Sequence, residues 1–199
     1  MKRLLKISAA AAAVVMVLAA PAAAEPAVFV EHWTEHDEFL AQERFSTPEE
    51  EWCPQVDFPV WVEEDASGTF RLLSHGDSPL YGASTFSSEG SFTNLDNGLT
   101  FSFISSGQEK DVHVTDLGGG LLSIEVQITS RTTFYGPDGE KLFLDAGRVS
   151  FTLVIDTKGT PSNEDDVEVS FEFGGATGHF QTAGRNFCDD LIEFIGDES

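Results

Sequence analysis

From residue 57 onward, apolar and polar positions alternate with a period of two, in stretches bounded by turn residues. The pattern is clearest in LLSIEVQIT, where Leu122, Ile124, Val126 and Ile128 alternate with Ser123, Glu125 and Gln127. Alternation of this kind predicts strands with one buried and one wet face. Leu99, Phe101 and Phe103 repeat it against Thr100 and Ser102, and so do Val167, Val169, Phe171 and Phe173 against Glu168, Ser170 and Glu172. Val149, Phe151, Leu153 and Ile155 form another such set. Asn97-Gly98 predicts a two-residue hairpin, and Gly118-Gly119-Gly120 and Pro137-Asp138-Gly139 mark further turns, so consecutive strands should pair antiparallel.

The segments FPVWVE, TFRLLS, Leu80 to Asn94, LTFSFIS, DVHVTD, LLSIEVQITSRTTF, KLFLD, RVSFTLVID and VEVSFEFG amount to eight or nine strands. So many strands in a chain of this length predict an all-β, antiparallel barrel or sandwich, with seventeen phenylalanines to fill its core. Helix is expected only at the end. Asn186 can cap FCDDLIEFI, Asp189 and Asp190 suit its first turn, Phe187, Leu191, Phe194 and Ile195 share one face, and Gly196 stops it. Residues 38–51 have helix formers but no clean face, and Pro48 among acids suggests an irregular segment.

The ends of the chain change the picture. Lys2, Arg3 and Lys6, the apolar run Ile7 to Ala20 and the triplet Ala22-Ala23-Ala24 read as a secretory signal peptide over 1–24, leaving 25–199 as a single secreted β domain. The apolar run is shorter than the ~20 residues of a membrane span. That segment holds three of the eleven basic residues and no acid, so the remainder carries eight basic residues against thirty-four acids, a net charge of −26. Such a charge disfavours nucleic acid and anionic membrane surfaces as partners and suits a soluble extracellular monomer. Cys53 and Cys188 are the only cysteines. In an oxidising compartment an even pair predicts a disulfide, which in so long a loop stabilises by ~5 kcal/mol.

Candidate chemistry is sparse. His32 and His36 stand four apart in VEHWTEHDEF; on a helix they would share a metal ion, but the β-prone lead-in AVFV predicts a strand, on which they lie ~13 Å apart. The loop 156–166 gathers Asp156, Asn163, Glu164, Asp165 and Asp166, but its spacing matches no calcium loop and reads as a solvated connection. SHGD (74–77) reads as a turn, and His113 falls on the polar face of its strand. His179 is not at ligand spacing from Cys188, and no Gly-x-Ser-x-Gly elbow occurs. No catalytic, cofactor-binding or metal-binding residue is assigned, and thirty-four acids supply too many carboxylate pairs to single one out.

CPQVDFPVWVEED, FTNLDNGLTFSF, FYGPDGEKLFLDAGRV and GRNFCDDLIEF resemble a group of small secreted proteins of actinobacteria, mostly without assigned function. The resemblance implies a run of β-hairpins and the cysteine bridge, and no activity. GGATGHFQTAGR (174–185) is similar, more locally, to the glycine-rich stretch of allene-oxide-cyclase and dirigent-like barrels, where such glycines let a strand bend. The expected function is therefore non-enzymatic binding of a small apolar molecule or an extracellular protein, with a cyclase or isomerase using a barrel interior as the alternative.

Overall fold

The computed structural model describes residues 28–47, 51–73, 80–159 and 165–196; residues 1–24, expected to be a signal peptide, and SHGD lie outside them. Strands β1 (Val28–Leu40), β2 (Val60–Leu73), β3 (Tyr81–Asn94), β4 (Thr100–Gly118), β5 (Leu121–Tyr135), β6 (Lys141–Asp156) and β7 (Val167–Phe180) form one antiparallel sheet in chain order. Two helices accompany it, α1 (Ala41–Phe45) and α2 (Phe187–Ile195). The all-β antiparallel class and the short C-terminal helix are as the sequence predicts. Seven strands stand among the described residues where eight or nine were counted, and β1 and β7 are both edges, so the sheet is open.

The difference in count has a physical origin: three pairs of the nine segments fuse, which leaves six strands, and β1, outside that count, makes seven. FPVWVE and TFRLLS become β2, LTFSFIS and DVHVTD become β4, and KLFLD and RVSFTLVID become β6. Gly68, Gly107 and Gly147, which look like breaks in the sequence, sit inside these strands. A Cβ at Gly68 would collide with the Thr85 carbonyl and with the Trp33 ring. At Gly107 it would meet the Thr129 carbonyl oxygen at 2.5 Å and the Phe86 ring, and at Gly147 the Phe180 ring at 2.5 Å. The three glycines lie at one level of the sheet, where the Trp33, Phe86 and Phe180 rings cover the bare backbone.

That face, called inner here, also carries the core. Phe39, Val62, Phe92 and Phe101 lie side by side across β1 to β4. Against them packs α2, whose Leu191 and Ile195 are fully buried. Phe194 stacks on Phe101 at 5.8 Å and Phe187 meets Phe92 edge-on at 5.0 Å. The Asn186 side chain accepts the Cys188 N–H at 3.0 Å, the cap that the sequence predicts. Cys53, in the segment before β2, is bonded to Cys188 with Cα atoms 5.4 Å apart, and so fastens α2 to the start of the core.

Three local expectations are corrected. Segment 38–51 is not wholly irregular: β1 runs on to Leu40, and α1 follows, its buried Ala41 and its Gln42 serving the core. Gln42 donates to the Phe58 carbonyl at 2.9 Å and accepts the Val60 N–H at 3.1 Å, satisfying backbone that the core would otherwise orphan. Asn97-Gly98 is not a two-residue hairpin: the loop spans 95–99 and puts Asn94 and Asn97 against the end of α2, both donating to the Ile195 carbonyl, at 2.7 and 3.0 Å. Finally, Val167, Val169, Phe171 and Phe173 are 44–57% exposed. Their alternation does not mark one face: a register shift beside Val154 and Ile155 sets Val167 opposite Asp156, on the outer face, while Phe171 and Phe173 lie opposite Leu153 and Phe151 on the inner face of this edge strand.

Candidate binding face

Beyond the core, the inner face continues as rows of side chains set by the strand register. Next to the core come Asp37, Glu64, Gly90, Phe103, Phe134 and Phe143, then the polar row Glu35, Ala66, Ser88, Ser105, Thr132 and Asp145. The glycine level with Trp33 and Phe86 follows. Past it lie Glu31, Phe70, Ser84, Glu109, Ile128 and Val149, and then Leu72, Gly82, Asp111, Val126, Phe151 and Phe173. Along β4 the inner residues Ser105, Gly107, Glu109 and Asp111 are partly shielded, whereas the alternating Ile104, Ser106, Gln108 and Lys110 are exposed. Val126 is only 4% exposed although it is remote from α2. Across β2 to β6 the far half of the inner face is thus a partly shielded, aromatic surface, open at the β7 edge where Phe171 and Phe173 are exposed.

Two carboxylic acids stand in it. Burial holds the Glu109 carboxyl above its ordinary range, with the Asp111 charge adding to the effect. Burial raises Asp111 as well, opposed by the Gly82 N–H that donates to its Oδ2 at 2.5 Å. Nearer the core, Glu64 is raised first by burial and then by the charges of Asp37 and Glu35, while a hydrogen bond with Ser88 acts in the opposite sense. Asp145 is tied down by Thr182, whose backbone N–H donates to Oδ1 at 3.1 Å and whose hydroxyl donates to Oδ2.

A group whose folded pKa is raised takes up a proton more readily in the folded state. Its stabilising contribution is complete below the unfolded pKa and is lost as pH rises through the folded one. Mild acidification from neutral pH is therefore expected to stabilise the protein through Glu109 and Asp111. The double variant Glu109→Gln/Asp111→Asn should be more stable than the parent at pH 7 by on the order of 1 kcal/mol, the scale of a buried polar group with incomplete compensation. Chemical denaturation at pH 5 and pH 7 checks this, because the gain should shrink at the lower pH.

The residues singled out in the sequence lie elsewhere. His32 and His36 are on β1, on the outer face and exposed, beside Thr69 and Asp65. The pairing on one helix turn that a shared metal ion needs does not form. His36 Nδ1 lies 2.9 Å from Asp65 Oδ1, and that hydrogen bond raises the imidazole pKa. An open depression beside it, bordered by Ser67, Ser87 and Glu89, holds no convergent set of buried polar groups. His113 is exposed, next to a bulge at Val112, and His179 is exposed on β7. Asn163 and Glu164 lie outside the described residues, and among the described ones no group of three or more His, Cys, Asp or Glu side chains is placed to hold a metal ion.

Glu109 and Asp111 are the residues that sequence reading missed. The signal was present: the alternation through Phe101 and Phe103 runs on in phase through Ser105, Gly107, Glu109 and Asp111. Treating LTFSFIS and DVHVTD as separate strands hid that continuity. Compared with known protein families, with curated proteins and with solved structures, the chain matches none of them.

Proposed function

We propose that the protein is secreted and acts without catalysis, holding a small, largely apolar molecule on the inner face of a coiled, barrel-like sheet. The observation that carries this reading is the aromatic surface of Trp33, Phe70, Phe86 and Phe151, which continues past the core where α2 no longer covers it. Burial of such surface stabilises by roughly 25 cal/mol per Å², so an apolar occupant gains what α2 gains at the other end. The leader-like first 24 residues, the disulfide and the lack of any described helix long and apolar enough to cross a membrane accord with secretion. The second reading, a cyclase or isomerase, is favoured by one observation only: Glu109 and Asp111 are partly shielded, and burial raises the pKa of each, the direction a general acid needs.

The neutral, environment-sensitive dye N-phenyl-1-naphthylamine tests the binding reading. Saturable fluorescence enhancement is expected, weakened at least tenfold by Phe70→Ser on the inner face and unchanged by Thr69→Ala on the outer. Absence of saturable binding, or equal loss in both variants, would refute it.

A further inference from the structure

We infer that the occupant of the inner face is an organic cation with a flat apolar body, such as an aryl ammonium. This rests on the binding reading above and specifies the ligand's charge. Its basis is the distribution of charge across the sheet. Arg71, Lys110, Arg131 and Arg148 all project from the outer face, as their cross-strand partners Val30, Ala83, Ser106 and Thr129 show. Lys141 pairs with Tyr135 at a bulge and is exposed. Among the described strand residues none of the inner-face positions is Lys or Arg, whereas Glu31, Glu35, Asp37, Glu64, Glu109 and Asp111 all are inner-face positions. Alternation alone would send both signs outward.

Shielded carboxylates without a counter-cation are costly. Two cations outside the strands are already paired: Arg185 lies over Phe143 at the α2 end, with its guanidinium 2.5 Å from Asp190 and 2.7 Å from Glu193, and Lys158, past the end of β6, has its Nζ 2.5 Å from Asp156. The remaining deficit is what a cationic ligand would relieve. A bare metal ion fits poorly. It needs clustered oxygens, but here the carboxylates are spread over successive rows with Trp33, Phe70 and Phe86 interleaved between them. Same-face neighbours on a strand stand ~7 Å apart, so an ammonium between Glu109 and Asp111 leaves its body against the rings, with cation–π attraction added.

Calorimetry on the oxidised mature protein at 0.15 M salt and pH 7 tests the inference, using benzyltrimethylammonium and its uncharged carbon isostere. The cation should bind at least tenfold more tightly. Glu109→Gln/Asp111→Asn should abolish that preference, whereas Glu63→Gln/Asp65→Asn on the outer face, an equal change in charge, should leave it intact. Equal binding of the two probes would overturn the inference and leave the binding reading standing; binding of neither would overturn both. A preference lost equally in the two double variants would mark general attraction to an acidic surface and likewise overturn the inference.

Discussion

Replacing both cysteines, as Cys53→Ser/Cys188→Ser, is expected to lower the unfolding free energy by about 4–5 kcal/mol, the largest effect of any change considered. The bridge joins residues 135 apart in sequence, and closing a loop of that size removes correspondingly large entropy from the unfolded chain. It also fastens α2, a nine-residue helix that is marginal in isolation and owes its order to packing. Denaturant unfolding of the oxidised parent and the double variant measures the difference. A loss below about 1 kcal/mol would mean that core packing alone holds α2 in place. Labelling the denatured, unreduced protein should find no free thiol; two titratable thiols would overturn the bridge itself.

Phe101→Ala should follow closely, at about 3–5 kcal/mol. Phe101 is 1% exposed and is surrounded by rings, with Phe134 and Phe194 stacked at 5.8 Å and Phe92 and Phe187 at 6.3 Å. A cavity at the meeting point of β3, β4, β5 and α2 has little room to collapse. Phe171→Ala supplies the contrast: the same chemical change on β7, where the side chain is 44% exposed, should cost less than about half as much. Similar costs at the two positions would show that the inner face beyond the core is covered as fully as the core itself.

What the sequence made legible follows from the kind of signal each element leaves. The C-terminal helix was readable to the residue because a cap, a first-turn acid pair, a 3.6-residue apolar stripe and a terminating glycine agreed on it. The disulfide followed from cysteine arithmetic. Strand positions and the antiparallel order followed from alternation and turn residues. Strand continuity did not, because Gly68, Gly107 and Gly147 carry the same letters as turn glycines and only the rings across the sheet show that they are strand positions. Alternation in β7 did not reveal the register shift that turns Val167 to the face opposite Phe171 and Phe173, and a period of two says nothing about whether a second layer covers a face. Glu109 and Asp111 escaped notice because carboxylates in phase with phenylalanines read as a change of strand rather than as inward acids. The conspicuous histidines, expected on a strand and too far apart there to share an ion, stand exposed on the edge strand β1.

Native mass spectrometry of the protein purified from its native source under non-denaturing conditions is the most direct measurement of the central claim, that the inner face holds a small organic molecule. A discrete added mass should accompany the folded protein, disappear on denaturation, and be released as a positively charged compound with an apolar body. Folded protein at the bare disulfide-bonded mass, together with failure of both the neutral dye and the aryl ammonium to bind it, would contradict that claim.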